Sequence, residues 1–216
     1  MDILEIMKTR HSVRQYSGKK IENRIRETLT ALVSDYNRES GLHIQIIFDE
    51  PKCFDSMMAH YGKFSGVENY IALIGKKNAD LDEKAGYYGE KLVLKAQELG
   101  MNTCWVAMTH GKSAAEIKKG EKLACIIALG YGVTQGIPHK DKPVEQLCNC
   151  ASAMPDWFSK GMEAALLAPT AMNQQKFYFT LENEKVSARA GKGLYTKMDL
   201  GIVKYHFEAA TGRKVE

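Results

Sequence analysis

The chain has 216 residues, of which 44% are hydrophobic and 26% are charged, and this balance excludes an intrinsically disordered protein. Its 30 basic and 26 acidic residues leave a formal charge of +4, which is too small to indicate nucleic acid and would suit a small anionic ligand. The length fits one domain, or two small halves that share a core.

The sequence predicts neither a membrane protein nor a secreted one. Its apolar runs are shorter than the ~20 residues of a membrane-spanning helix, and the N-terminal segment, with Asp2 and Glu5, lacks the apolar region of a signal peptide. Five cysteines, an odd number, favour reduced thiols in the cytoplasm. The pair Cys148-x-Cys150 lacks further ligands, so no metal site is predicted.

The first part of the chain is predicted to alternate helices with apolar strands. Apolar side chains recur at three- and four-residue steps in the helices, as at Leu29 and Leu32. Helices are predicted over residues 2–9, 21–36 and 82–99. Strands are predicted over residues 42–48, 70–74, 103–107 and 124–129. The capping box Ser113-x-x-Glu116 predicts a further short helix, whereas 51–69 and 130–143 are predicted to be irregular.

The last part of the chain is predicted to repeat this order in a shorter form. A helix is expected from about 155 to 167, a strand at Phe177–Phe179, a pairing strand over 186–190 and a final helix over 198–210. The order helix–strand–helix of residues 21–99 therefore recurs, as a weak internal repeat in the order and type of the elements. The predicted fold class is α+β, with helices flanking one sheet.

Two arginines and a serine alternate directly after the first predicted helix. In an extended segment Arg10, Ser12 and Arg14 point the same way and form a cationic, hydrogen-bonding face. Such a face suits a phosphate monoester or another anionic edge. The alternative is a solvated basic turn.

The glycine-rich segment after the last buried strand is not a dinucleotide site. Gly130-x-Gly132-x-x-x-Gly136 would need a helix to begin there, but Pro138 and Pro143 follow without any helical periodicity. Lys140 and Lys142 alternate in the same segment and could face one anion, although a solvated loop is the simpler interpretation.

The segment 168–175 carries several short polar side chains between a helix and an aromatic strand. Thr170, Asn173 and Gln175 supply donors and acceptors that suit a heterocycle with imide edges, unless the segment is simply a turn. Hydrolytic chemistry is not predicted, because no base pairs with a nucleophile and Cys104 is expected to pack beside Trp105.

Four segments together resemble the FMN-dependent nitroreductase family. They are Arg10-His11-Ser12-Val13-Arg14, Leu99 to Trp105, Ala128-Leu129-Gly130-Tyr131, and Leu167 to Gln175 followed by Phe177. In the ordinary family the last of these lies between the first and the long helix, and it reaches the flavin of the other subunit. Its position at the end of this chain resembles the family's monomeric, internally duplicated subgroup.

The resemblance implies a pseudo-dimer with an antiparallel or mixed central sheet. Residues 1–150 would form the main FMN-binding half, and residues 151–216 a shortened second half that closes the flavin site. It further implies one FMN per chain, a monomer, and ping-pong hydride transfer from NAD(P)H through flavin N5 to a small-molecule acceptor such as a nitroaromatic or a quinone. The alternatives are an FMN storage or sensor protein and a basic phospholigand- or RNA-binding module.

The resemblance also implies a set of cofactor-binding residues and no catalytic side chain. Arg10 and Ser12 would hold the phosphate, and Arg14 would face the pyrimidine edge of the flavin. The full set is Arg10, His11, Ser12, Arg14, Lys63, Trp105, Val106, Ala107, Met108, Lys140, Lys142, Pro169, Thr170, Ala171, Asn173 and Gln175.

Overall fold

An antiparallel four-stranded sheet lies at the centre of the computed structural model, which describes residues 2–150 and 152–216. Its strands are β1 (Gln45–Ile47), β2 (Asn69–Lys76), β3 (Asn102–Val106) and β4 (Glu121–Gly130), in the order β1-β2-β4-β3. β2 is buried along seven of its eight residues, because helices and loops cover both faces of the sheet.

Six α-helices surround the two sheets of the described chain. They are α1 (Ile3–Thr9), α2 (Asn23–Ser40), α3 (Met57–Tyr61), α4 (Leu81–Glu98), α5 (Asp156–Leu166) and α6 (Thr196–Thr211). Leu29 and Val33 on α2 pack into the same core as Leu92 on α4. Gly41 ends α2 in the left-handed conformation at φ 72°, which glycine adopts without a steric penalty.

A separate hairpin follows the central sheet. β5 (Phe177–Glu182) pairs antiparallel with β6 (Lys185–Ala190), as predicted from the sequence. Asn183 and Glu184 form the two-residue turn, both at positive φ, as a tight hairpin requires. The rings of Phe158, Phe179 and Phe207 join this hairpin to α5 and α6, so the last part of the chain has a core of its own.

The two long helices α4 and α6 cross in backbone contact. A Cβ at Gly86 on α4 would collide with the carbonyl oxygen of Met198 on α6. A Cβ at Gly201 on α6 would likewise collide with the carbonyl oxygen of Glu83 on α4. Only glycine permits this close approach, so these two positions fix where the helices cross.

The predicted α+β class is confirmed, but three local predictions are wrong. The hairpin β5–β6 forms its own sheet. Residues 113–116 are not helical, and the Ser113 hydroxyl and the Ala114 N–H instead both donate to the Tyr70 hydroxyl. The segment 51–69 contains α3, whose first turn is capped by Ser56 Oγ accepting from the Ala59 N–H. Among the described residues, no helix is long and apolar enough to cross a bilayer.

Candidate functional site

A cavity of about 370 Å³ lies between the N-terminal segment, β3, residues 169–173 and α6. Its volume is in the range of small-molecule sites. The lining residues that the sequence predicted are Arg10, Ser12, Arg14, Trp105, Ala107, Pro169, Thr170, Ala171 and Asn173. Residues from the first and last quarters of the chain therefore share one cavity.

The segment after α1 is extended, so its side chains alternate. Ser12 forms a parallel bridge to Thr103 at the start of β3, and the Val13 N–H donates to the Thr103 carbonyl at 3.0 Å. Val13 points into the core, whereas Arg10, Ser12 and Arg14 line the cavity. This is the alternation that the sequence predicted.

Arg10 is a buried cation, and two of its three guanidinium nitrogens lack a hydrogen-bonding partner among the described residues. The residue is 3% exposed, and neither Nε nor Nη1 meets an acceptor in the described part of the chain. Burial lowers the pKa of the guanidinium, and the nearby Glu90 carboxylate partly offsets this effect. A buried and unpaired charge is costly, so the cavity is suited to an anion that supplies the missing acceptors.

A buried polar network lies behind the cavity wall. The Trp105 indole N–H donates to Glu90 Oε2 at 2.9 Å, and His206 Nε2 lies 2.9 Å from Glu90 Oε1. His206 Nδ1 donates to the Ala164 carbonyl at 2.9 Å, so one further proton must sit between the imidazole and the carboxyl group. The side chains of Glu90 and His206 are both 0% exposed. The network joins α4, α5 and α6 to Trp105.

The second part of the chain supplies a strained wall. Met172, Asn173 and Gln175 all have positive φ, between 42° and 52°. Gln175 is 1% exposed, and its side-chain oxygen accepts from the Lys142 N–H at 2.7 Å while its amide N–H groups donate to the Lys140 carbonyl and to Asn173. These contacts hold the backbone in a conformation that residues other than glycine rarely adopt.

Asp199 anchors the same wall from α6. Its carboxylate accepts from the Ala171 N–H at 2.9 Å and from Gln174 Nε2 at 2.8 Å. Burial raises the pKa of Asp199 to about 6, against the effect of these two hydrogen bonds. The cavity therefore contains a carboxyl group whose pKa is raised well above that of a free aspartate by burial.

Several predicted residues lie outside the lining of this cavity. Val106 points into the core, because it alternates with Trp105 and Ala107 along β3. Met108 is 62% exposed beyond the end of that strand. Lys63 is exposed in a left-handed turn directly after α3.

The strained wall includes Gln175 and is contacted by Lys140 and Lys142. The Lys142 ammonium donates to the carbonyls of Gln174 and Gln175 at 2.7 and 3.2 Å, and Lys140 contributes its carbonyl while its side chain is exposed. Gln175 is part of the wall but its side chain faces away from the cavity. His11 is half-buried, and burial with the neighbouring Arg10 lowers its pKa.

Sequence reasoning missed part of the lining. The missed lining residues are Cys104, Cys125, Ile137, His139, Met172, Tyr195, Met198, Asp199 and Ile202. Burial raises the pKa of the Cys104 thiol, which keeps it protonated and unsuited to nucleophilic attack. Within residues 2–150 and 152–216, no group of three or more His, Cys, Asp or Glu side chains could hold a metal ion.

Comparison with solved structures gives the same fold. A Thermotoga maritima protein named as a nitroreductase superposes with a TM-score of 0.72 and 24% identity, over 97% of this chain and 83% of that one. A Desulfovibrio desulfuricans nitroreductase solved with FMN gives a TM-score of 0.53 and 16% identity, over 68% of this chain and 95% of its own. A Bacteroides thetaiotaomicron protein named NADH dehydrogenase/NAD(P)H nitroreductase gives 0.52 and 18%, over 67% and 95%.

Comparison of the sequence itself identifies one family. No curated protein matches the chain. The family described as "Putative TM nitroreductase" matches residues 2–211, which is nearly the whole chain. The chain therefore belongs to this nitroreductase family and has the nitroreductase fold.

Proposed function

We propose that the chain is an FMN-dependent NAD(P)H oxidoreductase that reduces a small-molecule acceptor such as a nitroaromatic or a quinone. The observation that carries this proposal is the buried Arg10, whose Nε and Nη1 find no acceptor within the described chain, in a cavity of a nitroreductase fold. The FMN in the related Desulfovibrio structure supports the choice of cofactor. The free thiols support a reducing compartment such as the cytoplasm.

The cavity residues fit FMN by their chemistry. Arg10 and Ser12 would hold the phosphate through charge-assisted hydrogen bonds. Arg14 would face the pyrimidine edge of the ring, and Thr170 and Asn173 would offer polar groups from the strained wall. When bound, FMN supplies the exchange of hydride between reductant and acceptor. The chain's own task is then to bind, orient and shield the ring, so no side chain has to act as an acid or a base.

We further propose that residues 1–150 and 151–216 are the two unequal halves of a pseudo-dimer. The crossing of α4 and α6 is reciprocal, since Gly86 meets the Met198 carbonyl and Gly201 meets the Glu83 carbonyl. The same offset of 115 residues relates the members of each pair, Gly86 to Gly201 and Glu83 to Met198. Reciprocal contacts of this kind characterise the two-fold interfaces of homodimers.

A second cavity supports the same symmetry. We call the cavity of about 370 Å³ that contains Arg10 the flavin cavity. Its lining residues at the start of α6 are Tyr195, Met198, Asp199 and Ile202. The residues 115 positions earlier, all of which line the second cavity, are Asp80, Glu83, Lys84 and Tyr87. This second cavity therefore occupies the place that a second flavin site would have in a symmetric dimer.

The second cavity is lined by two ion pairs. Lys204 Nζ lies 2.8 Å from the Glu83 carboxylate, and Lys214 Nζ lies 2.7 Å from the Glu208 carboxylate. Within the described chain, the lining of the second cavity contains no arginine and no serine, so Arg10, Ser12 and Arg14 have no counterpart there. We therefore expect one FMN per chain and a monomer in solution.

The coverage of the smaller relatives fits this arrangement. The Desulfovibrio and Bacteroides structures place 95% of their own length on 68% and 67% of this chain. The covered share, about two thirds of this chain, is close to the proportion of residues 1–150 and so supports the proposed division.

The proposal is tested by mixing the purified, FMN-loaded protein anaerobically with NADH or NADPH in a stopped-flow instrument. We expect loss of the oxidised flavin absorbance with at least one reductant, followed by its return when a quinone is added. A flavin that stays oxidised with both reductants would support the storage or sensor alternative. A colourless protein whose RNA affinity falls steeply with rising salt concentration would support the alternative of a basic phospholigand- or RNA-binding module.

The pseudo-dimer is tested by light scattering together with the flavin content. We expect a mass near 24.2 kDa and one flavin per chain. An obligate dimer with two flavins at its interface would contradict the fused arrangement.

A further inference from the structure

A small cationic cavity lies on the far side of the strained wall. It has a volume of about 230 Å³ and is formed by the segment 142–147 and the paired ends of β5 and β6. Its charged lining residues are Lys142, Lys176 and Arg189, and no carboxylate lines it among the described residues. We call it the cationic cavity.

Two of the three cations are held in place by their surroundings. The Arg189 guanidinium lies over the ring of its cross-strand partner Tyr178, 5.2 Å from the centroid. The Lys142 ammonium donates two hydrogen bonds to the carbonyls of Gln174 and Gln175 and keeps a third N–H. The cavity thus has fixed donors and an uncompensated positive charge, which is the chemistry that recognises a phosphate monoester.

The cationic cavity and the flavin cavity share one wall. Gln175 lines the first and Asn173 lines the second, and the amide N–H of Gln175 donates to Asn173 Oδ1 at 3.0 Å. The two cavities are therefore linked through this pair of hydrogen-bonded side chains. A ligand whose ring lies in the flavin cavity could place a charged group beyond this wall.

We propose that the cationic cavity binds the 2′-phosphate monoester of the dinucleotide reductant, and so selects NADPH over NADH. This inference rests on the proposed reductase function, because it needs a nicotinamide ring over the flavin. The other source of the same chemistry is free inorganic phosphate, and the experiment separates the two.

The test uses the FMN-loaded protein and the double variant Lys176→Ala/Arg189→Ala, which leaves all proposed flavin ligands intact. Losing charge-assisted bonds to the phosphate should lower the second-order rate of flavin reduction by NADPH at least about tenfold. The rate with NADH should change less than about twofold. The control variant Lys185→Ala/Lys192→Ala removes the same charge from exposed positions that do not line the cavity and should behave as wild type.

Three results would overturn the inference. Equal losses with NADH and NADPH would show a general electrostatic effect, and unchanged rates would show that the cavity is not used. Weaker FMN binding by the double variant would assign the cavity to the flavin phosphate instead.

A binding measurement keeps the inference testable if the flavin is not reduced at all. Calorimetry should show adenosine 2′-monophosphate binding to the wild-type protein and not to Lys176→Ala/Arg189→Ala. Failure of reduction with this binding intact would refute the reductase proposal alone. Inorganic phosphate binding as tightly as adenosine 2′-monophosphate, or no binding of either, would refute the inference.

Discussion

Replacing His206 by leucine should destabilise the protein strongly, because it breaks the buried pair with Glu90. Both side chains are 0% exposed, and their nitrogen and oxygen atoms lie 2.9 Å apart. Removing one partner of a buried pair costs about 3–5 kcal/mol, since the other stays buried without that partner. The Ala164 carbonyl keeps a hydrogen bond from the Leu167 N–H at 3.2 Å, so the cost falls mainly on Glu90.

The double variant Glu90→Leu/His206→Leu should be less destabilised than His206→Leu alone. Two apolar side chains remove the buried polar pair entirely, which is close to neutral for the pair itself. The Trp105 indole N–H then loses its acceptor, and an unsatisfied buried donor costs about 1–3 kcal/mol. The double variant should therefore lose about 1–3 kcal/mol, against about 3–5 kcal/mol for the single variant.

Urea unfolding followed by tryptophan fluorescence measures both free energies by linear extrapolation. Glu90→Gln serves as the matched control, because its amide can still accept from Trp105 and donate to His206. We expect it to lose less than His206→Leu. The reasoning is refuted if His206→Leu loses under ~1 kcal/mol, or if the double variant is less stable than the single one.

Two further predictions concern α6. Asp199→Asn should change the pH dependence of stability. In the wild type, the pKa of this carboxyl group is about 6 in the folded protein and about 3.9 in the unfolded chain. The free energy of unfolding of the wild type should therefore fall by up to roughly 3 kcal/mol as the pH rises from about 4 to 6. Urea unfolding across this range should show the variant gaining on the wild type as pH rises, and a constant difference would contradict the assignment. Gly201→Val should prevent the close crossing with α4 and lower the melting temperature far more than the control Gly212→Val. Gly212 lies at the exposed end of α6, where a Cβ meets nothing within 4 Å and only the positive φ adds strain. Equal decreases in melting temperature would show that the crossing is not tightly packed.

The elements with a strong local signal were predictable from the sequence. The sequence of β2 is a nearly continuous apolar run because both faces of the strand are covered. In α4, apolar side chains recur at three- and four-residue steps, which predicts a helix. The prediction of a helix at Ser113 was wrong: the Ser113 hydroxyl and the Ala114 N–H both donate to the distant Tyr70 hydroxyl, a contact that no local pattern reveals. α3 was missed because it is only five residues long and its large side chains, such as Met57, are exposed.

The site was predictable only where its residues form a local pattern. Arg10, Ser12 and Arg14 follow a period of two, and an extended segment brings them to one face. Glu90 and His206 lie 116 residues apart, so no local pattern pairs them. Each is nevertheless a polar residue among the mostly apolar buried residues of its helix, and this was a sequence signal that could have found them.

The most direct test of the central claim is an FMN titration of the apoprotein by flavin fluorescence, comparing wild type with Arg10→Ala. Arg24→Ala on the exposed face of α2 is the control, and riboflavin is the ligand without a phosphate. If the buried guanidinium of Arg10 holds the phosphate, Arg10→Ala should bind FMN at least about tenfold more weakly, with riboflavin affinity nearly unchanged. Equal FMN affinity for Arg10→Ala and wild type would contradict the claim.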